Sequence, residues 1–240
     1  MRKSISIVIP TYNEEKFLPE LIDKIKKINF SKINLSHEII VVNDGSTDNT
    51  KQILSKIDGI SVLEQDNKGK GSAVQKGIKN SNADLILIQD ADLEYDPQDY
   101  YRLLEPFKSQ NKISVYGSRP KNIFNQNNLF VDKHQSQKYG PYFMNKLLCL
   151  LFKFLFNVNL TDPLTGYKVY ERNFFLKNKI LSKGFEADHE ITIKLIKSNY
   201  KIIEVPIEYN PRNVKDGKKI NFFDAITAFY ILIKFKLIKY

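Results

Sequence analysis

The chain has 240 residues, 42% of them hydrophobic, which admits one large α/β domain or two small ones and excludes a disordered chain. Its 37 Lys and Arg against 27 Asp and Glu give a net charge of +10, the balance of a protein that meets nucleic acid, an anionic membrane surface or an anionic substrate. The single Cys149 excludes an internal disulfide and fits a reducing compartment, and residues 1–10 lack the apolar run of a secretory leader.

Strand-like and helix-like segments alternate over the first 117 residues. Ser4–Ile9 is short and β-branched and stops at Pro10. Asn13 is placed to cap a helix over 14–28, where Leu18, Leu21, Ile22, Ile25 and Ile28 recur at helical spacing. Glu38–Val42 predicts a second strand, and Thr47 or Asp48 the cap of a helix to Ile57. Then follow a strand at Ile60–Glu64, a helix at Lys70–Lys79, a strand at Asp84–Gln89, a helix at Pro97–Phe107 and a strand at Ile113–Tyr116. This alternation predicts a Rossmann-like, mainly parallel sheet with helices on both faces. Ligands of such sheets bind beyond the carboxyl ends of the strands. PTYNEE, NDGSTD, DADLE and GSR stand at those ends.

Beyond a polar, irregular stretch (118–138), read as a mobile loop, Tyr142–Asn157 is almost wholly apolar, with Lys146, Cys149, Lys153 and Asn157 on one narrow stripe. Two lysines and a short run argue against a transmembrane span. Phe222–Tyr240 is similar, broken by Asp224, Lys234, Lys236 and Lys239. Basic and apolar together favour helices lying in a membrane interface over a nucleic-acid groove, the bland reading being two core helices.

Asp90 and Asp92 flank the small Ala91 just past the apolar strand LILIQ. Carboxylates at i and i+2 of an extended segment point the same way, so both, with Glu94, can face one hard divalent cation, Mg²⁺ or Mn²⁺. Such an ion would stabilise charge on a leaving diphosphate. His37, His134 and His189 share no metal spacing and read as structural or surface residues.

These motifs resemble the family-2 glycosyltransferases, whose nucleotide-sugar-binding fold is called GT-A. PTYNEE (10–15), VVNDGSTDNT (41–50), NKGKGSA (67–73), DADLE (90–94) and GSR (117–119) occur in the family's order. TDPLTGYKVY (161–170) and the stretch 184–219 are similar to the branch that transfers sugar to a polyprenyl or dolichyl phosphate. The resemblance implies one GT-A domain over 1–240. Within it, 1–117 forms the nucleotide-sugar half, 118–210 the acceptor side, and 211–240 a basic loop with an amphipathic C-terminal helix. It implies that Pro10, Tyr12 and Glu14 line the nucleotide pocket, that Val42 and Asp44 contact base and ribose, and that Asp90, Ala91 and Asp92 hold the diphosphate and metal. Arg119 would reach a substrate phosphate, and Arg212 and Lys218 would clamp phosphates from a loop. Asp92, Arg119 and Arg212 are the residues expected to carry catalysis.

Three positions depart from the family's pattern. Asn43 stands for the usual Asp, Glu94 for the frequent Gln, and Lys168 for an Arg, keeping its charge without the bidentate geometry. Asp188 and Glu190 lie where many inverting transferases keep a base. An acceptor phosphate is already anionic, so Asp188 is expected to support or position. The implied partners are a nucleotide-sugar, a polyprenyl or dolichyl phosphate and an anionic membrane surface, with room for a membrane-protein partner and none for nucleic acid. The implied setting is cytoplasmic and peripheral to the membrane, since the chain ends without the transmembrane helices of some relatives. A transferase acting on a saccharide, or a non-catalytic membrane-associated subunit, are the alternatives.

Overall fold

The computed structural model of the chain describes residues 3–119, 139–211 and 222–237. Among the described residues seven strands form one sheet: β1 (Lys3–Thr11), β2 (Leu35–Asp44), β3 (Ser61–Gln65), β4 (Leu85–Ile88), β5 (Ile113–Ser118), β6 (Lys168–Glu171) and β7 (Lys201–Pro206). Among the described residues eight α-helices accompany them: α1 (Leu18–Lys26), α2 (Thr50–Leu54), α3 (Lys70–Asn80), α4 (Tyr100–Leu104), α5 (Tyr139–Phe156), α6 (Arg172–Lys177), α7 (Ala187–Lys197) and α8 (Phe222–Leu237). The strand order is β3-β2-β1-β4-β6-β5-β7. All neighbours are parallel except β6, which runs antiparallel between β4 and β5. This is the expected α/β architecture of GT-A type, and strands from before and after residue 118 share the sheet.

The period-2 pattern of the strands sorts the core into two layers. Ile5, Ile7 and Ile9 of β1 and Leu85 and Leu87 of β4 pack with α1 and α4 on one face. Val8, Ile86 and Ile88 pack with Val74 and Ile78 of α3 and Ile191 and Leu195 of α7 on the other. A third cluster lies outside α7, where Leu148 and Phe152 of α5 meet Ile193 and, from α8, Ile231, Leu232 and Phe235.

Several boundaries differ from expectation, each for a local reason. Asn13 caps no helix. It adopts a left-handed backbone (φ 55°), and α1 begins at Leu18 with Pro19 in its first turn. The helix expected over 97–107 breaks into a 3₁₀ turn, the short α4 and a second 3₁₀ turn, because Pro106 cannot continue it. The strands β6 and β7 were not anticipated. The loop expected over 118–138 lies, from 120 onward, outside the described residues.

The two apolar helices each carry a buried and an exposed apolar row. Facing inward, α5 buries Leu148 and Phe152. Outward it presents Phe143, Leu147, Leu150 and Phe154, the last 89% exposed. Likewise α8 buries Ile231, Leu232 and Phe235 and exposes Tyr230, Ile233 and Leu237. No helix among the described residues is long and apolar enough to cross a membrane.

Helix α3 lies close on β1, and Gly77 sets that distance: a Cβ there would collide with Val8 Cγ1 and stand 3.2 Å from Cγ2. Val8 is fully buried and stiff at χ1, so it cannot swing away. Gly77→Ala is therefore expected to lower stability by about 1–3 kcal/mol, the overpacking cost exceeding the helix-propensity gain of about 1 kcal/mol. Urea unfolding of Gly77→Ala, Val8→Ala and the double variant checks this. The double variant should be less destabilised than the sum of the two.

Candidate active site

Register brings the motif-bearing loops to one edge. Pro10 lies beside Val42, Thr11 beside Asn43, and Val8 beside Ile88, so β1, β2 and β4 all open onto the same side. The first two loops are stitched together. Asn13 Oδ1 accepts from Thr47 N (2.8 Å), Ser46 Oγ accepts from Asn13 N (3.0 Å), and Glu15 Oε2 accepts from Asn49 N (2.9 Å). Asn49, and neither Thr47 nor Asp48, holds the N-cap position of α2, which ends at Leu54 instead of Ile57, while Asp48 Oδ1 accepts from Thr50 N at 3.0 Å.

Of the residues expected to meet the nucleotide, Pro10, Tyr12 and Glu14 are half-buried on this edge. The Val42 side chain is wholly buried with Ile40 and Ala73 beneath α3, so it belongs to the core and not to the open edge. Asp44 is buried, and both its oxygens are used within the chain. Oδ1 accepts from Gln65 Nε2 (2.6 Å) and Lys68 N (2.8 Å), and Oδ2 accepts from Gly69 N (2.8 Å). Asp44 thus fastens the NKGKG turn, which sets the start of α3. Asn43 is also engaged, donating to Glu64 Oε2 and accepting from Ser46 N.

Fixing that turn aims Lys70 across the strand ends. Its Nζ lies 2.6 Å from Asp90 Oδ1, both side chains being largely buried. Burial and the neighbouring charges of Asp92 and Asp188 push the Asp90 carboxyl above the usual range, and Lys70 works against that push. Burial disfavours the Lys70 ammonium, but Asp90 and Asp188 outweigh it and hold its pKa above the ordinary lysine value. Asp188, at the start of α7, is half-buried. Lys168 and Lys70 more than offset that burial and keep it ionised. The fully buried Lys168 reaches Pro163 O (3.3 Å), Asp188 Oδ1 (3.9 Å) and the face of Tyr116 (4.7 Å), and burial lowers its pKa. The segment 161–167 approaches so closely that a Cβ at Gly166 would overlap Asp90 Oδ2.

The expected three-carboxylate metal set is not assembled. Among the described residues no three His, Cys, Asp or Glu converge on one point. The physical reason is that β4 ends at Ile88 and residues 91–94 turn, with Leu93 in the left-handed region (φ 59°), so strand alternation does not aim Glu94. Glu94 instead accepts from the Tyr209 hydroxyl (3.1 Å), and its carbonyl accepts from Asn210 N (2.9 Å). Asp90 and Asp92 remain at the strand end, near enough for their charges to interact. This donor set fits a hard divalent cation that takes one or two carboxylates and fills its remaining positions with phosphate and water oxygens, as Mg²⁺ does.

Arg119 is drawn away from a simple phosphate-binding pose. Its Nε and Nη2 donate to Asp162 at 2.6 and 2.7 Å, and its guanidinium lies 5.1 Å over the Tyr209 ring. Thr161 N and Asp162 N in turn donate to Glu204 of β7. Neither Asp162 nor Glu204 was singled out from the sequence, although Asp162 sits in the quoted TDPLTG stretch. Lys70 likewise lies in the NKGKG motif, at the first position of the helix expected over Lys70–Lys79. Arg212 and Lys218 lie outside the described residues, but Tyr209 and Asn210, just before them, are pinned to the DADLE segment.

Residues 6–177 match the family described as glycosyl transferase family 2. The chain is 27% identical to the UDP-N-acetylglucosamine–dolichyl-phosphate N-acetylglucosaminyltransferase of Methanococcus voltae, across 98% of this chain and 97% of that protein. It is 28% identical to the dolichol-phosphate mannosyltransferase of Pyrococcus furiosus, across 97% of this chain and 64% of that one. The dolichyl-phosphate beta-glucosyltransferase of Trichomonas vaginalis is 29% identical, across 96% of this chain and 72% of that one. Among solved structures, glucosyl-3-phosphoglycerate synthase from Mycobacterium tuberculosis, in complex with Mn²⁺, UDP and phosphoglyceric acid, superposes with a TM-score of 0.72. It covers 99% of this chain and 80% of that one at 19% identity, a likeness of fold.

The carboxylate behind Asp162 titrates in an informative range. Burial raises the Glu204 pKa from 4.5 to about 7, against the opposing backbone hydrogen bonds. An acid whose folded pKa lies above its unfolded value contributes stability at pH below about 4.5, and that contribution is lost as pH rises through about 7. Glu204→Gln stays neutral across this window. Its melting temperature relative to wild type is therefore expected to improve from pH 5 to pH 8, and thermal scans at both pH values check it.

Proposed function

The chain belongs to glycosyl transferase family 2, and on that premise we propose that it moves a sugar from a nucleotide-sugar donor, of GDP-mannose or UDP-glucose type, to a polyprenyl or dolichyl phosphate at a membrane surface. The observation that carries this reading is the Asp90-Ala91-Asp92 segment at the end of the central strand β4, beside the interlocked loops of β1 and β2. The names of the relatives, transferases to dolichyl phosphate, support the acceptor.

The reaction inverts the sugar carbon. An oxygen of the acceptor phosphate attacks the anomeric carbon from the face opposite the nucleotide. The bond from that carbon to the diphosphate breaks, and its electron pair leaves with the nucleoside diphosphate. Asp90 and Asp92, together with the diphosphate, would hold Mg²⁺ or Mn²⁺, which supplies neutralisation of the charge developing on the leaving group. The attacking phosphate is already anionic, so no side chain has to take a proton. Asp188, held between Lys168 and Lys70, serves to position those two cations.

Two anionic substrates repel, and basic residues must bring them together. Arg212 and Lys218 are assigned this role, Arg gripping phosphate oxygens bidentately and Lys acting as a point charge. Asn210, two residues earlier, is bonded to Glu94, which supports their reach to the DADLE segment. Arg119, braced by Asp162, orients this side of the site.

The lipid end of the acceptor is met by α5 and α8. Their outward rows, Phe143, Leu147, Leu150 and Phe154 with Tyr230, Ile233 and Leu237, are flanked by Lys146, Lys153, Lys234 and Lys236. An apolar row edged with lysines suits an anionic bilayer surface. On this reading the protein works peripherally, at the cytoplasmic side of the membrane.

A screen of nucleotide-sugars against a short polyprenyl phosphate tests the whole reading. Transfer to a lipid phosphate is expected, and transfer only to saccharides would overturn it. Asp92→Asn is expected to lower turnover on the order of 10²-fold, the scale of losing one key electrostatic stabiliser. Turnover equal to wild type would remove Asp92 from the chemistry. The protein is also expected to sediment with vesicles containing anionic lipid and to be released by salt, since each surface lysine contributes roughly 1 kcal/mol within a Debye length. Phe143→Glu with Phe154→Glu should abolish sedimentation and leave the melting temperature unchanged, because both rings are exposed. Absence of sedimentation at low salt would sink the membrane assignment.

A further inference from the structure

Asp90 already carries a cation belonging to the chain. Lys70 Nζ stands 2.6 Å from Oδ1, and the backbone at Gly166 closes over Oδ2 so tightly that a Cβ there would overlap it. Oδ1 is therefore occupied by an ammonium, and Oδ2 is crowded by main chain. A divalent cation and an ammonium cannot share Oδ1 without strong repulsion at such short range.

Lys70 has somewhere else to go. It is the first residue of α3, with a four-carbon flexible stem, and its other neighbours include the charges of Asp188 and Lys168 and the face of Phe185, 5.8 Å away. Phe185 is 41% exposed, so this side of the ammonium borders the open edge of the site. A diphosphate arriving there brings several anionic oxygens, a stronger partner for a displaced ammonium than a single shared carboxylate.

We propose that Lys70 is a built-in placeholder for the divalent cation: it neutralises Asp90, weakens the binding of metal alone, and moves to the diphosphate when metal takes the carboxylate. Metal and diphosphate then bind as a coupled pair, because each removes what opposes the other. The coupling is reciprocal, as linkage requires. The inference rests on the metal and donor reading above.

The test uses the full chain and two separate titrations. One follows Mn²⁺ alone by the loss of the free-ion paramagnetic resonance signal. The other follows inorganic pyrophosphate alone by calorimetry with chelator present. Lys70→Met and Lys70→Gln remove the charge, Lys70→Arg keeps it, and thermal scans report folding. The neutral variants are expected to bind Mn²⁺ roughly tenfold more tightly than wild type and pyrophosphate roughly tenfold more weakly, within the usual range of coupling between sites. Lys70→Arg should stay near wild type in both. A purely structural ion pair would not move the two affinities in opposite directions. Mn²⁺ affinity unchanged or weakened in every folded neutral variant would overturn the placeholder while leaving the metal reading intact. Mn²⁺ and pyrophosphate that bind neither wild type nor variants would overturn both.

Discussion

A carboxylate buried at the end of an apolar strand must find a positive partner, and the rest of the site is arranged around that requirement. The strand β4 is wholly apolar and runs directly into Asp90. The partner is Lys70, on a different strand–helix unit. For the two to meet, the turn before α3 must be held in place, and Asp44 does this through the amides of Lys68 and Gly69. The segment 161–167 must pass close by, and Gly166 permits it. Lys168 and Asp188 extend the alternation of charges, so that each buried ion faces one of opposite sign.

The same logic recurs on the far side of the sheet centre. Arg119 is clamped by Asp162, and the backbone there is clamped by Glu204. Glu204 has amide partners in place of a cation, and burial raises its pKa as a result. The two buried networks differ in their openness. The pair of Lys70 and Asp90 borders the edge where ligands approach, whereas Asp162 and Glu204 brace the frame behind Arg119. Tyr209 joins the two sides, bonding Glu94 and lying under the Arg119 guanidinium.

The apolar excess of α5 and α8 is used twice. One row of each helix closes the cluster outside α7, and the other faces outward. Dividing a helix this way requires more apolar residues than a surface helix needs, which is why both segments read as nearly continuous apolar runs. A core role and an outward apolar face are therefore compatible on the same helix.

Much of this was legible locally. The alternation of strands and helices in the first 117 residues follows from periods of 2 and 3.6, and both are properties of neighbouring residues. The cluster of acids at the strand ends follows from the same pattern, and the structure does set Asp90 and Asp92 just beyond β4, at the edge onto which β1 and β2 also open. The four-residue β6 was too short to announce itself, and its antiparallel place between β4 and β5 is a matter of non-local pairing. The partners of the charged residues were equally hidden. Lys70 is twenty positions from Asp90, Asp162 forty-three from Arg119, and Glu204 forty-two from Asp162. Glu94 does not follow strand periodicity, because β4 ends at Ile88 and the turn over 91–94, with Leu93 left-handed, directs it to Tyr209. The sequence by itself determined which residues carry charge and which faces are apolar. Only the tertiary structure decided which charges neutralise each other, because sheet register and close packing, acting over tens of residues, bring those groups within hydrogen-bonding distance.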